Sequence, residues 1–273
     1  MKIKNLMSEN PITIDKNKNI CDCLRLMYKN NLSRIPVVKS TDNGEKELVG
    51  IISEKDIANK IGSSKYADMA ISRFRVSTIM VKDLITADIN EDTLEVANLM
   101  LENNIGAIPI MDSGKLIGIV TKSDYISACK GKAYDKKIVK EVMTSNPKSI
   151  DLKDRLVHAR RIIIDSGIGR LLITEENDLV GIITSKDIAK AYVSFKRHTP
   201  EKHQSTQLKN LFVSDFMTKG VEKVNDNDTI SNVASEMLET GYNGYPVSSD
   251  DGEIVGIITQ SDLLNLLIDL ESE

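Results

Sequence analysis

Four short stretches of the chain place a hydroxyl three residues before a carboxylate. Each pair follows a glycine and two apolar residues, and the pairs are Ser53 with Asp56, Thr121 with Asp124, Thr184 with Asp187, and Thr259 with Asp262. At a helix start, such a hydroxyl can donate to phosphate, aided by the roughly +0.5 elementary charge of the helix N-terminus. The carboxylate has two acceptor oxygens and can accept both hydroxyls of a ribose. The pattern therefore offers the chemistry that a nucleotide requires.

The same four pairs also have a purely structural interpretation. A Ser/Thr-x-x-acid sequence is a capping box, which satisfies the free N–H groups at the start of a helix. The usual box ends in Glu or Gln, whereas all four stretches end in the shorter Asp. The glycine before each pair allows a close backbone approach. We therefore expect ligand binding in at least one of the four places, and capping alone remains the alternative.

These stretches belong to a repeat that runs through the chain. Its markers are four glycines and four methionines: Gly50, Gly118, Gly181 and Gly256, and Met7, Met80, Met143 and Met217. In the first unit, Ile20, Leu24 and Met27 have helical spacing. A β-branched run, turn residues and the glycine-containing run then predict a hairpin. Each unit is therefore predicted as β-α-β-β-α, an α/β fold class made of α+β repeats.

We predict units at residues 1–62, 76–130, 138–193 and 211–273. A unit of this size buries too little surface to be comfortable alone, so the units should pair. The connecting segment 194–210 is the most polar one, and we predict that it is a solvated linker, with a partner-docking patch as the alternative. Its charged residues are Lys196, Arg197, Glu201, Lys202 and Lys209.

Composition narrows the function classes. The 273 residues carry a formal net charge of −4, so there is no overall basic excess to attract nucleic acid or anionic lipid. Aromatic residues make up 4% with no Trp, which leaves few stacking platforms for single-stranded nucleic acid. No apolar stretch approaches membrane-spanning length, and the first ten residues do not resemble a secretory leader. We expect a cytoplasmic protein that does not bind membranes.

Metal and nucleophilic chemistry have little support in the sequence. Cys21, Cys23 and Cys129 form neither a disulfide framework nor a zinc ligand set. The three histidines lack metal-site spacing, and no Walker loop, GxGxxG or nucleophile elbow occurs. We therefore expect neither a metal nor a catalytic cofactor, and we expect that the protein is not an enzyme.

Four registered copies of a strand such as Ile35-Pro36-Val37, followed by Gly-apolar-apolar-Ser/Thr-x-x-Asp, resemble cystathionine-β-synthase (CBS) domains over essentially the whole chain. The four-unit order resembles stand-alone archaeal or bacterial CBS proteins and, more distantly, the γ subunit of AMP-activated protein kinase. The resemblance implies that units one and two pair, that units three and four pair, and that the two modules form a flat disc. It implies clefts for an adenosine-containing small molecule, such as AMP, ADP, ATP or S-adenosylmethionine. It also implies a homodimer and a regulated protein partner, which the sequence does not identify.

The resemblance also implies roles for particular residues. A basic residue two positions before the strand proline reaches phosphate, which suits Arg34 and Arg170, whereas units two and four have Ala107 and Gly244 there. The alternative is an exposed arginine whose stem packs on a strand edge. Strand one contacts the base or ribose, and apolar walls surround the adenine. The residues implied are Thr13, Thr86 and Ser149 for the contact, and Ile14, Ile35 and Ile51 for the walls.

Two departures from the family pattern predict unequal occupancy of the clefts. Lys223 stands where the other units have a hydroxyl, and Leu172 replaces the strand proline.

We expect a non-catalytic sensor in which an adenine nucleotide or S-adenosylmethionine, as a regulatory ligand, shifts conformational populations. One alternative is an interaction scaffold with empty clefts. Another is a nucleic-acid-binding regulator that uses Lys196, Arg197 and Lys202.

Overall fold

The computed structural model describes residues 1–41, 43–128 and 137–272. The first repeat contains β1 (Ser8–Glu9), β2 (Ile14–Asp15), α1 (Ile20–Lys29), β3 (Arg34–Ser40), β4 (Lys46–Ser53) and α2 (Glu54–Ile61). The second contains α3 (Val76–Ile79), β5 (Ala87–Asp88), α4 (Thr93–Glu102), β6 (Ala107–Asp112), β7 (Lys115–Thr121) and α5 (Lys122–Ala128). The third contains α6 (Val139–Val142), β8 (Thr144–Ser145), β9 (Ser149–Asp151), α7 (Leu156–Asp165), β10 (Arg170–Glu175), β11 (Asp178–Thr184) and α8 (Ser185–His198). Then follow α9 (Glu201–Gln207) and the fourth repeat with β12 (Val224–Asn225), α10 (Ile230–Thr240), β13 (Gly244–Ser248), β14 (Ile254–Thr259) and α11 (Gln260–Ser272).

Each repeat forms one small sheet with two helices. In the first repeat, β2 pairs with β3 in parallel, and β3 pairs with β4 in antiparallel fashion. The other three repeats use the same order. The predicted mixed α/β fold with the order β-α-β-β-α is therefore confirmed.

The first helix of a repeat begins at a capping side chain and buries one face. In α1, the Asn19 side chain accepts from the backbone N–H of Cys21 at 2.8 Å. Ile20, Leu24 and Met27 are buried, as their spacing predicts. This face of the helix packs into the apolar cluster of its unit.

Each repeated methionine packs against one of the repeated glycines. A Cβ atom at Gly50 would lie 2.7 Å from Sδ of Met80 and 2.8 Å from the carbonyl oxygen of Val81. Only glycine fits under a segment that approaches so closely. The other three contacts pair Gly118 with Met7, Gly181 with Met217, and Gly256 with Met143. Each methionine therefore covers a glycine of the neighbouring repeat, in reciprocal exchange between repeats one and two and between repeats three and four.

The described residues divide into two compact units. The odd-repeat unit comprises residues 11–84 and 149–220, and the even-repeat unit comprises residues 1–10, 85–148 and 221–273. In the odd-repeat unit α2 packs on α8, and in the even-repeat unit α5 packs on α11. Each unit has its own buried apolar cluster. The implied packing of repeat one on two and of three on four stays a prediction, and the 131–136 part of the predicted linker 131–137 lies outside the described residues.

The prediction of a solvated linker at 194–210 holds for most of its side chains, including Arg197, Lys202 and Lys209, but it is wrong for Lys196. Helix α8 continues to His198, and α9 follows almost at once. Lys196 is 3% exposed because acceptors surround its ammonium group. Nζ of Lys196 donates to the carbonyl oxygens of Tyr66, Ala67 and Met69 at 3.2, 2.7 and 3.1 Å and to Oε1 of Gln204 at 3.2 Å. The segment is therefore anchored in the odd-repeat unit by Lys196, Gln204 and Leu208, which are its buried residues among those described.

The departure at Leu172 leaves its strand unchanged. Leu172 pairs with Ile182 in the register in which Pro36 pairs with Ile51. Its side chain is buried. Replacement of the proline therefore does not alter the sheet of the third repeat.

Candidate ligand-binding site

The hydroxyl–carboxylate pairs of the odd-repeat unit form capping boxes. Ser53 accepts from the backbone N–H of Asp56, whose Oδ2 accepts from the backbone N–H of Ser53 at 2.8 Å and from its hydroxyl at 2.5 Å. Thr184 and Asp187 repeat this arrangement at the start of α8, with 2.9 and 2.6 Å. Capping therefore uses Oδ2 of each carboxylate. No described residue donates a hydrogen bond to Oδ1 of Asp56 or Asp187.

The pairs of the even-repeat unit use more of their carboxylates. Oδ2 of Asp124 accepts from the N–H and hydroxyl of Thr121, and Oδ2 of Asp262 accepts from those of Thr259, all at 2.7 Å. In addition, the hydroxyl of Thr144 donates to Oδ1 of Asp262 at 3.0 Å. Burial raises the pKa of Asp124, and hydrogen bonds from Thr121 and Ser8 oppose that rise. The carboxylate of Asp262 is thus bonded by a second segment of the chain.

A cleft of about 470 Å³ opens beside Asp56 in the odd-repeat unit. Its walls are Asp56, Asn59 and Lys60 of α2 and the segment 77–83, which includes Val81, Lys82 and Asp83. Two lysines and two aspartates therefore face the cleft. This charge balance accommodates an anionic group better than a purely acidic wall does.

The equivalent cleft beside Asp262 is smaller and acidic. Its volume is about 230 Å³, and Glu141, Asp262 and Asp269 line it without a lysine or arginine. Phosphate would meet three carboxylates there. The two clefts occupy the same place in their repeats but differ in the charge of ligand that they favour.

Arg34 and Arg170 lie at matching positions beside the capping boxes. Arg34 is opposite Ser53 in the sheet, and Arg170 is opposite Thr184. Both side chains are half-buried. Burial lowers the pKa of Arg34, and the nearby carboxylates of Asp56 and Glu54 oppose that shift. A guanidinium at this place can pair with phosphate while the carboxylate accepts ribose hydroxyls.

In the even-repeat unit, the corresponding partners of Thr121 and Thr259 are Ala107 and Gly244. These residues carry no cation. The sequence alternates between an arginine and a small residue at this position. Both arginines lie in the odd-repeat unit, and both small residues lie in the even-repeat unit.

Sequence reasoning missed Glu54, the residue that follows the capping Ser53. It is 6% exposed. Burial raises its pKa to about 7, Lys186 and Arg34 lower it, and Asp187 raises it. Its position gave little signal because two of these charged neighbours, Lys186 and Asp187, come from α8, more than 130 residues away in the chain.

Helix α2 is held by the third repeat near both ends. Nζ of Lys55 donates to the carbonyl oxygen of Gly167 at 2.8 Å. Nη1 of Arg160 donates to the carbonyl oxygen of Asn59 at 3.0 Å and to its side-chain oxygen at 3.2 Å. Asp56 therefore lies on a helix that contacts the third repeat on either side of it, at Lys55 and Asn59.

The remaining predicted contact residues are more dispersed. Thr13 is half-buried before β2, whereas Thr86 and Ser149 are exposed at the corresponding places of the second and third repeats. Among the described residues, none of the three is hydrogen-bonded to a capping box. Lys223 is exposed before β12.

The predicted apolar walls also separate. Ile51 is half-buried, Ile14 is 6% exposed, and Ile35 is fully buried in the core of the odd-repeat unit. Ile35 therefore presents no surface to a cleft, since its side chain packs beneath the sheet. Of the three, Ile51 is the one most able to contact a ligand.

Within the described residues, no group of three or more His, Cys, Asp or Glu side chains is arranged to hold a metal ion. Cys21 and Cys23 are free thiols, and burial raises the pKa of Cys23 to about 12. Cys129 lies outside the described residues. No helix in the described part of the chain combines the length and the apolar character needed to cross a membrane.

Comparisons with known proteins agree with this architecture. The chain is 28% identical over 265 residues to the uncharacterised protein MJ1225 of Methanocaldococcus jannaschii, covering 93% of this chain and 94% of that protein. The crystal structure of MJ1225, proposed as an archaeal homologue of γ-AMPK, superposes with a TM-score of 0.86 at 26% identity and covers 98% of this chain and 100% of that chain. An uncharacterised 33.4 kDa protein of Thermofilum pendens is 26% identical, covering 93% of this chain and 87% of that protein.

The CBS-domain pair of protein MJ0100 was crystallised with 5′-methylthioadenosine and S-adenosyl-L-methionine. It is 28% identical, covers 48% of this chain and 95% of that chain, and has a TM-score of 0.38. The sequence profile of the CBS domain matches residues 3–63, 76–131, 139–194 and 213–269. These four matches cover most of the chain, which therefore belongs to the CBS-domain family.

Proposed function

We propose that this protein is a non-catalytic regulator that binds an adenosine-containing ligand in the odd-repeat unit. Asp56 accepts the ribose hydroxyls, and Arg34 binds phosphate. The carrying observation is the cleft beside Asp56, where one carboxylate oxygen has no hydrogen-bond partner among the described residues and a guanidinium lies nearby. Asp187 and Arg170 form the corresponding pair in the third repeat.

The two carboxylate oxygens of Asp56 have different roles, which supports this proposal. Oδ2 closes the capping box and fixes the carboxylate, so Oδ1 is already oriented when a ligand arrives. A preorganised acceptor costs less conformational entropy on binding than a free side chain. The capping function and the binding function are therefore compatible in one residue.

The phosphate end of the ligand has several cationic neighbours. Arg34 provides a planar donor opposite Ser53 in the sheet, and Lys60 and Lys82 line the cleft beside Asp56. The N-terminus of the eight-residue α2 adds its partial positive charge. These groups favour a phosphorylated adenosine over a neutral or cationic one.

Regulation follows from the attachment of α2 to the third repeat. A ligand that binds two conformations unequally shifts their populations. Lys55 and Arg160 connect the ligand-bearing helix to the other half of the odd-repeat unit, so a small movement of α2 changes contacts there. A homodimer and a regulated protein partner complete the proposal, and sedimentation with and without ligand tests the first of these.

Burial of Lys196 weakens the nucleic-acid alternative, because its ammonium group is used inside the protein. The scaffold alternative requires that ligands leave the protein unaffected. An experiment on ligand-dependent stability therefore decides between a sensor and a scaffold.

The test measures the thermal midpoint Tm of nucleotide-free protein with AMP, ADP, ATP, S-adenosylmethionine and adenosine. A ligand at 100 times its Kd stabilises the folded state by about 2.7 kcal/mol. We expect a phosphorylated adenosine to raise Tm, and Asp56→Ala to abolish the rise. Asp262→Ala is the matched control, since it removes an equivalent cap from the other unit. No rise with any ligand would overturn the proposal in favour of a scaffold.

A further inference from the structure

The residue that follows each repeat methionine occupies one equivalent position in all four repeats. These residues are Ser8, Val81, Thr144 and Thr218, and their partners in the sheet are Ile119, Ile51, Ile257 and Ile182, respectively. Each isoleucine lies five residues before the aspartate of a hydroxyl–carboxylate pair. The backbone therefore brings each of the four residues to the same place beside that carboxylate.

The chemistry at this position differs between the two units. In the even-repeat unit, Thr144 donates its hydroxyl to Oδ1 of Asp262 at 3.0 Å. Ser8 carries a hydroxyl at the equivalent place, and this hydroxyl lowers the pKa of Asp124. In the odd-repeat unit, Val81 has no hydroxyl and lines the cleft beside Asp56 with 41% of its surface exposed. In the even-repeat unit, the hydroxyl of Thr144 thus occupies Oδ1 of Asp262. In the odd-repeat unit, no described residue donates to the corresponding Oδ1 of Asp56.

Thr218 is the intermediate case. It carries a hydroxyl, but no hydrogen bond joins it to Asp187 among the described residues. Oδ1 of Asp187 is therefore open in this structure, although a rotation of the Thr218 side chain could bring its hydroxyl toward it. We therefore expect weaker ribose binding beside Asp187 in the third repeat than beside Asp56 in the first.

We propose that the residue after the repeat methionine determines whether a cleft can bind ribose. A hydroxyl there occupies the free oxygen of the aspartate, so a ribose must displace an internal hydrogen bond. An apolar residue leaves both lone pairs of that oxygen for the 2′- and 3′-hydroxyls. This inference rests on the proposed function and explains which of four similar clefts carries it out.

The position can be tested with a nearly isosteric change. Val81→Thr adds a hydroxyl where Thr144 has one, on a backbone that already has the Thr144 register. We expect the Kd for AMP to rise roughly tenfold, because a hydrogen bond to a charged acceptor must be displaced. Val81→Ile is the control, which keeps the position apolar and should retain most of the affinity.

A second probe separates this effect from general damage to the cleft. 2′,3′-Dideoxyadenosine monophosphate has no hydroxyls to offer Asp56, so its weaker binding should be the same in wild type and in Val81→Thr. Both probes are measured by isothermal titration calorimetry on the full chain at one salt concentration.

Unchanged AMP affinity in Val81→Thr, or equal losses for both probes, would overturn the inference while leaving the proposed function intact. If wild-type protein binds neither probe, the proposed binding of a phosphorylated adenosine fails, and the inference fails with it.

Discussion

The odd-repeat and even-repeat units have the same order of elements but different side chains at the start of the second helix. Arg34 and Arg170 lie beside the carboxylates of one unit, and Ala107 and Gly244 take their places in the other. The cleft volumes are about 470 and 230 Å³. The comparison teaches that all four repeats keep the bonds from a Ser or Thr backbone N–H and hydroxyl to Oδ2 of the aspartate, while a few neighbouring positions differ in charge and size.

The helix contacts inside each unit differ in the same way. In the even-repeat unit, Lys122 donates to the hydroxyl of Ser261, and Gln260 donates to that of Ser123, both at 2.8 Å. The residue equivalent to Lys122 in the odd-repeat unit is Glu54, a buried acid. The even-repeat unit thus has a buried lysine, Lys122, that donates to a hydroxyl. At the equivalent position the odd-repeat unit has a buried acid, Glu54, among charged neighbours. The odd-repeat unit therefore concentrates the groups that can respond to an anionic ligand or to pH.

The largest expected effect comes from making the first repeat resemble the second. Arg34→Gln removes the guanidinium and should raise the Kd for AMP on the order of 100-fold, because a charge-assisted bidentate contact is lost. Binding of adenosine, which has no phosphate, should change little. Calorimetry with both ligands makes the measurement.

Arg25→Gln is the control for this change, since Arg25 is exposed and pairs with Asp22, one helical turn away. Equal losses for AMP and adenosine would show that Arg34 supports the shape of the cleft and does not contact phosphate.

Lys196→Met tests the connection that the odd-repeat unit makes through its buried ammonium group. The carbonyl oxygens of Tyr66, Ala67 and Met69 would lose their donor while buried, so we expect a loss of about 2 kcal/mol in the free energy of unfolding. Arg197→Met, at the next and exposed residue, should change stability by less than about 0.5 kcal/mol. Urea unfolding measures both. Similar losses at the two positions would contradict the role assigned to Lys196.

Much of the fold was predictable because its signals are local. The spacing of Ile20, Leu24 and Met27 predicts α1, and the repeated glycines predict the strands that precede the capping boxes. The alternation of Arg34 with Ala107 also identified the unit that has cations beside its carboxylates. These features depend on residues close together in the sequence, where periodicity and repetition are informative.

The features that sequence reasoning missed depend on contacts between distant segments. The sequence predicts Lys196 as part of a solvated charge cluster. Its acceptors lie about 130 residues earlier in the chain, so no local pattern indicates that it is buried. The family resemblance implied that Ile35 is a cleft wall, whereas its side chain is fully buried. The strand pattern alone does not tell which of the two faces borders a cleft. The hydroxyl of Thr144 drew no attention, since its partner Asp262 belongs to the next repeat.

The smallest expected effect concerns Glu54 and pH. Its pKa rises on folding from 4.5 to about 7, so the folded state binds more protons than the unfolded state between these values. Stability must then fall as pH increases from about 5 to 7 and stay lowered above that range. The groups that act on Glu54 are Arg34 from β3 and Lys186 and Asp187 from α8, and Tyr28 from α1 lies within reach of its charge.

Glu54→Gln removes this titration while keeping the size of the side chain. We expect the variant to be about as stable as wild type at pH 5 and on the order of 1 kcal/mol more stable at pH 8, since the buried carboxylate no longer has to ionise. Urea unfolding at four pH values between 5 and 8 measures the difference. Glu47→Gln, on the exposed part of β4, should give a difference that does not depend on pH. If the Glu54→Gln difference is also constant over this range, then Glu54 is already ionised at pH 5 and its cationic neighbours outweigh its burial.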